Sequence, residues 1–234
     1  MTALAAPLAP MAPTSRSERP MIVGDDSPTA PFPLHLSGIV TKGFGRGARY
    51  LGIPTANLPD ESLAPLNDLQ LTGIYYGFAR VHPSTSTPLP SKTSTPQMST
   101  LDLTNIPAET APYPPDSVAG AEIVPRKLSE QDGKVWPMVM SVGWNPYFKN
   151  EKITAEVHIM HPFEHDFYGH DMSVLVLGYI RPELDYVSKE ALIQDIQTDV
   201  KVALNSLARP EYAKLASDPF LAGKSLKSWL NVER

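Results

Sequence analysis

The chain contains no cysteine. A disulfide scaffold, a thiolate metal site and a thiol nucleophile are therefore excluded, and a reducing compartment fits. No apolar stretch approaches the roughly 20 residues needed to cross a bilayer, so no stable membrane insertion is expected. A basic stripe is also missing. Twenty Lys and Arg against 25 Asp and Glu leave a net charge of −5, which argues against a nucleic-acid partner. No glycine-rich run ends in Gly-Lys-Ser/Thr, so there is no Walker A loop, and the dinucleotide fingerprint spacing is absent as well. The N-terminus lacks the long apolar core of a secretory signal. Its only basic residues are Arg16 and Arg19, too few for a firm transit peptide; the cytoplasm is expected, with the mitochondrion as the alternative.

What the chain has in abundance is proline, 25 residues, and it is clustered. Residues 1–33 are rich in Ala, Pro and Ser and read as a disordered tail. From His82 to Lys134 there are nine prolines, many Ser and Thr and no sustained periodicity. Neither flank has enough apolar elements for its own core, so this run reads as a surface insertion between two neighbouring strands. One domain over 34–215 is expected, followed by a C-terminal tail over 216–234, and the stretch from Glu211 to Arg234 is expected to pack loosely, with a further short helix around Pro219 to Leu230. Strands are expected at His35–Val40, Gly73–Val81, Val135–Val142, Ile153–Met160 and Met172–Ile180. In the fourth, Ile153, Ala155, Val157 and Ile159 share one face and Thr154, Glu156 and His158 the other. The fifth is apolar on both faces and therefore central. Pro137 places the start of its strand at an edge or a bulge. Short connections favour an antiparallel meander or small barrel. One helix follows, capped by Ser188, with Leu192, Ile193, Ile196, Val200, Ala203, Leu204 and Leu207 as its apolar stripe and Pro210 as its stop.

Three sets of residues could carry chemistry. Gly43, Gly45, Gly47 and Gly52 let backbone N–H groups approach an anion, and Arg46 and Arg49 add charge for phosphate. Glycine density alone equally fits a hairpin loop. Thr55 and Asn57, two apart in an extended segment, share a face and offer hard neutral oxygens, which suit a Mg²⁺ ion already held by nucleotide phosphates. An ordinary turn uses the same residues. Glu156, fixed on a strand, could accept the proton of an attacking hydroxyl, or belong to a solvated strand face. His158, His161, His165 and His170 invite a metal-hydrolase reading, but their spacing matches no helical His-Glu-x-x-His site.

Taken in order, Gly43-x-Gly-x-Gly, Gly52-Ile-Pro-Thr-Ala-Asn57, Gly73-Ile-Tyr-Tyr-Gly77, Ser141-Val-Gly-Trp-Asn-Pro-Tyr147, Glu156-Val-His-Ile-Met-His161, Asp166-Phe-Tyr-Gly169 and Gly178-Tyr-Ile-Arg-Pro-Glu183 resemble riboflavin kinase, in its monofunctional eukaryotic form. The resemblance spans about 34–215. It implies a mainly β fold, a six-stranded antiparallel Greek-key β-barrel with a C-terminal α-helix packed outside. It implies ATP-dependent phosphorylation of riboflavin to FMN, with Mg²⁺, or Zn²⁺ in some members. By the same resemblance Thr55 and Asn57 would hold metal and phosphates, and Gly43, Arg49, Ile159, His161 and Tyr168 would contact ATP. Glu156 would be the base, and Arg181 and Tyr186 would lie in a flap over the flavin. Many relatives carry a basic residue where Leu184 stands, which leaves a polar flavin contact there in doubt. The 82–134 insertion has no counterpart in shorter members and is expected to be dispensable for chemistry. A monomer is expected. A flavin binder without catalysis would be free to lose Glu156 or the Thr-x-Asn pair, and both are present. An additional FMN-adenylylating activity would call for a nucleotidyltransferase domain ahead of the kinase, where only about 33 low-complexity residues stand.

Overall fold

The alternation along Ile153–Ile159 sets the plan of the fold: every second residue is buried, and the residues between are half-buried or exposed. The computed structural model describes residues 19–41, 53–83, 127–144 and 153–223. It contains six strands, β1 (Leu34–Ile39), β2 (Ala56–Asn57), β3 (Gly73–Val81), β4 (Val135–Trp144), β5 (Ile153–Ile159) and β6 (Asp171–Arg181). They form one antiparallel sheet in the order β1-β6-β3-β4-β5-β2. The sheet curls into a half-barrel. Its two edges meet at one point, where Thr41 N–H, just beyond β1, donates to Asn57 O at 3.0 Å.

Two apolar layers follow from the period of two. Residues such as Tyr75, Met140, Ala155, Val157 and Val176 fill the concave interior. The convex face carries Tyr76, Phe78, Val139, Leu175 and Leu177 against the helices α2 (Lys189–Leu207) and α3 (Pro210–Ala213). β6 lies between both layers, which is why it is apolar on both faces. Pro137 stands in β4 opposite Phe78, level with the end of β5. Its carbonyl accepts from Met160 N–H at 2.9 Å on that side, so its missing N–H points to where the β5 ladder has stopped.

β3 and β4 are partners, with Arg80 opposite Val135, so the 82–134 run does join two neighbouring strands. Residues 84–126 of it lie outside the described residues.

Several elements were not visible in sequence. β2 is two residues long, and a 3-10 turn at Asp60–Leu63 leads into α1 (Ala64–Leu69), which buries Leu63 and Leu66. Order also begins earlier than Leu34. Residues from Arg19 onward strap the outside of α2 and α3. Arg209 donates to the carbonyls of Val23, Gly24 and Asp25, Tyr212 O–H donates to Asp25 O, and Val23 N–H donates to Ser206 Oγ. The C-terminal segment packs more tightly than its sequence suggests, with Tyr212 and Leu221 fully buried. Helix α2 is capped by Ser188, whose Oγ accepts from Ala191 N–H. Its buried face is rotated from the expected stripe: Leu204 is exposed, while Asp195 and Asp199 are buried. Two arginines account for the rotation, as described next.

Candidate active site

Asn57 and Glu156 are directly opposite each other on β2 and β5, one pair along from Ala56 and Val157. Since Ala56 and Val157 point into the interior, Asn57 and Glu156 point outward. Thr55, two residues before Asn57, joins them: its Oγ1 donates to Glu156 Oε2 at 3.2 Å. His158 lies on the same face of β5. Its Nδ1 is 2.9 Å from Pro54 O, and since a carbonyl only accepts, the proton sits on Nδ1. Burial lowers the His158 pKa, against the opposing pull of that carbonyl, so the ring is neutral at neutral pH. The expected triad of Thr55, Asn57 and Glu156 is thus one cluster. The backbone explains why. Asn57 is held on one side by Glu156 and on the other by Thr41, and the glycine-rich run 42–52 leaves from Thr41 and returns at Ile53. Gly43 and Arg49 themselves lie outside the described residues.

A continuous row of opposed residues leads away from this cluster. Asn57 faces Glu156, Glu156 faces Ser141, Ser141 faces Ile74, and Ile74 faces Arg181. At about 4.8 Å per strand, Glu156 and Arg181 are three spacings, or about 14 Å, apart. Ile74 and Ser141 are only half-buried, so the row is open to solvent between its ends.

At the far end, Arg181 is buried against helix α2. Its Nε donates to both carboxylate oxygens of Asp199 at 3.0 and 3.1 Å, and its Nη2 donates to Oδ2 at 2.6 Å. Burial works against the guanidinium charge, but these bonds outweigh it and raise the Arg181 pKa. Tyr186 O–H donates to Asp195 Oδ2 at 2.8 Å. Arg19 bridges Asp195 and Asp199 from the strap, at 3.0 and 3.2 Å. Arg181 and Tyr186 are therefore neighbours through α2, and their polar groups are held by the helix. The signal missed in sequence was the Asp195/Asp199 pair itself. Two carboxylates four apart, inside an apolar stripe, demand buried cationic partners.

The third group sits around the end of β5. Ile159 faces the interior. The His161 ring stacks on Trp136 with centroids 4.3 Å apart and 8° between planes, and its Nε2 is 2.8 Å from Asp132 Oδ1. Burial tends to raise the Asp132 pKa, but bonds from Ser129 and His161 outweigh it and bring it below the ordinary value. Tyr168 packs on the interior cluster beside Phe163 and Phe167. The other histidines go separate ways. His170 Nδ1 meets His82 O at 3.0 Å, and His165 is exposed. Among the described residues no group of three His, Cys, Asp or Glu could hold a metal ion.

Comparison with known proteins gives the class. The Flavokinase family model, described as riboflavin kinase, matches residues 30–207, and the chain belongs to this family of enzymes. Within it, the chain is similar to fungal members: it is 43% identical over 197 residues to riboflavin kinase of Lodderomyces elongisporus, covering 84% of this chain and 96% of the relative. It is 45% identical to that of Scheffersomyces stipitis, covering 83% and 96%. A solved riboflavin kinase from Trypanosoma brucei aligns with a TM-score of 0.49 and 20% identity over 82% of this chain and 90% of that one, a likeness too distant to carry any part of the assignment.

Proposed function

We infer that this chain transfers the γ-phosphate of ATP to the ribityl 5′-hydroxyl of riboflavin, giving FMN and ADP. The observation that carries this reading is the joining of Thr55, Asn57 and Glu156 at one point on a rigid sheet. Phosphoryl transfer asks a protein mainly for positioning, charge neutralisation and an oriented nucleophile. Glu156 is exposed on a strand anchored by both neighbours, so it can reach the hydroxyl and take its proton as the new P–O bond forms. Thr55 Oγ1 and the Asn57 side chain supply hard oxygens beside it. That donor set suits a divalent ion shared with substrate phosphates, Mg²⁺ first and Zn²⁺ as the alternative. When bound, the ion would neutralise phosphate charge at the transfer point.

The nucleotide belongs at the end where the 42–52 run is anchored, with Gly43 and Arg49 toward its phosphates and Ile159, His161 and Tyr168 on its flank. The flavin belongs along the open row from Glu156 toward Arg181 and Tyr186. Its length of about 14 Å suits a tricyclic ring with a five-carbon polyol whose terminal hydroxyl lies at Glu156.

The test is FMN formation from riboflavin, ATP and Mg²⁺ by the purified full chain, with Glu156→Gln alongside. The wild type should form FMN only with ATP and metal. The variant should fold and bind ATP normally but turn over roughly 10²-fold or more slowly. A variant with near-normal kcat would remove Glu156 from its role. A folded wild type that forms no FMN with either metal would remove the function.

A further inference from the structure

Gly143 and Glu183, two residues with no role in the site above, meet on the outward face of the sheet. Ser141 and Gly143 point the same way as Val139, which packs under the helices, so Gly143 belongs to the convex face. The Glu183 carboxylate lies flat on it. A Cβ built on Gly143 would come within 3.0 Å of Glu183 Oε1, Cδ and Oε2. Gly143 therefore leaves room for this carboxylate, and any side chain there would displace it.

The location matters because Gly143 faces Thr154, two pairs along from Ser141 and Glu156 on the same face. Residues two apart on a strand are about 7 Å apart, so Glu183 flanks the stretch of open row that begins at Glu156. Arg181 adds its charge from the far end of that row.

The carboxylate is also chemically idle. Among the described residues no hydrogen-bond donor reaches it. The cation that acts on it among the described residues, Arg181, is committed to Asp199 and to Pro182 O. Burial raises the Glu183 pKa, with Arg181 opposing and Asp185 reinforcing the rise. A half-buried carboxylate offering about four lone-pair sites and no donor calls for hydroxyl or N–H groups from outside the chain.

We propose that Glu183 is a substrate-binding residue that accepts a hydrogen bond from one of the inner ribityl hydroxyls of riboflavin, at C2′, C3′ or C4′. The proposal rests on the function given above. It makes the polyol chain, and not only the ring, a specificity determinant. Flavins whose side chain lacks that hydroxyl would bind without engaging Glu183.

The test compares the full-length wild type with Glu183→Ala on riboflavin and on its 2′-, 3′- and 4′-deoxy analogues, with KM for ATP measured in parallel. Losing a hydrogen bond to a charged acceptor should lower kcat/KM for riboflavin about 10- to 100-fold, mostly through KM for the flavin. With one of the deoxy analogues the two enzymes should differ by less than about threefold. KM for ATP should not move. Gly143→Ala, which keeps Glu183 but pushes its carboxylate away, should reproduce the same pattern, and Glu183→Gln should restore part of the loss. An unchanged riboflavin KM in Glu183→Ala overturns the proposal. So does an equal loss on all four flavins, which would assign Glu183 to folding. Failure of the wild type itself to form FMN would strike the function rather than this contact.

Discussion

Replacing Asp199 by Ala is the substitution for which the structure sets the largest cost. Asp199 is 2% exposed and Arg181 8%. The change removes three hydrogen bonds from Arg181 and one from Arg19, and it leaves a guanidinium buried without its bidentate partner. Breaking a buried pair from one side costs about 3–5 kcal/mol, because the surviving charge keeps its desolvation penalty. Asp195 is close enough to act on Arg181 electrostatically, which favours the lower end of that range. For a folded body of this size each kcal/mol shifts Tm by about 2–4 °C, so a fall of roughly 6–16 °C is expected in calorimetry. Urea unfolding should show a lower midpoint at unchanged slope. The paired replacement Arg181→Met with Asp199→Leu should recover most of the loss, since it removes both charges together. A contrast is built into the same protein. The exposed Lys214–Glu211 pair should contribute less than about 1 kcal/mol. If Asp199→Ala lowered Tm by less than about 3 °C, the view that this pair fixes α2 on the sheet would be wrong.

Other expectations can be checked with the same material. His82 is half-buried beside Ser173 Oγ at 2.8 Å. Burial chiefly, and the charge of Arg80, lower its pKa, with Asp171 opposing. The unfolded chain therefore takes up a proton, near pH about 6.5, that the folded chain refuses. The stability this group supports is complete above that pH and is lost as pH falls toward the folded-state value. Urea midpoints at pH 7.5 and 5 should show the decline, and His82→Asn should flatten it; an equal slope in the variant would refute the assignment. Joining Pro83 to Lys127 through a short linker, with 84–126 removed, should leave kcat/KM for riboflavin within about twofold, because Arg80 and Val135 are already paired. A folded deletion variant with no activity would show that the segment has a part in the chemistry.

Where the sequence was legible, one physical signal dominated. β5 could be read because one face is core and the other is not, and β6 because interior and helices cover both its faces. The Thr55–Asn57–Glu156 cluster was legible from motif order, though only the β2–β5 register places the three side chains together. The strap at 19–33 was not legible, because Arg209 and Tyr212 hold it by backbone carbonyls, which leave no residue signature. The rotation of α2 was hidden for a related reason. Its apolar stripe is real, but Arg181 and Arg19 draw Asp195 and Asp199 inward and turn Leu204 out to solvent. β2 is too short for any periodicity to register.

The strap also bears on how the protein is made. Arg19 reaches Asp195 across 176 positions, and Tyr212 reaches Asp25 across 187. β1, near the start, has β6 as its ladder partner. On the ribosome, β1 must wait for residues of β6, and the strap must wait for residues as late as Tyr212 to emerge. Such distant pairings slow folding. The nascent chain would carry unpaired strand edges through most of its synthesis, the interval in which chaperones and aggregation compete for it.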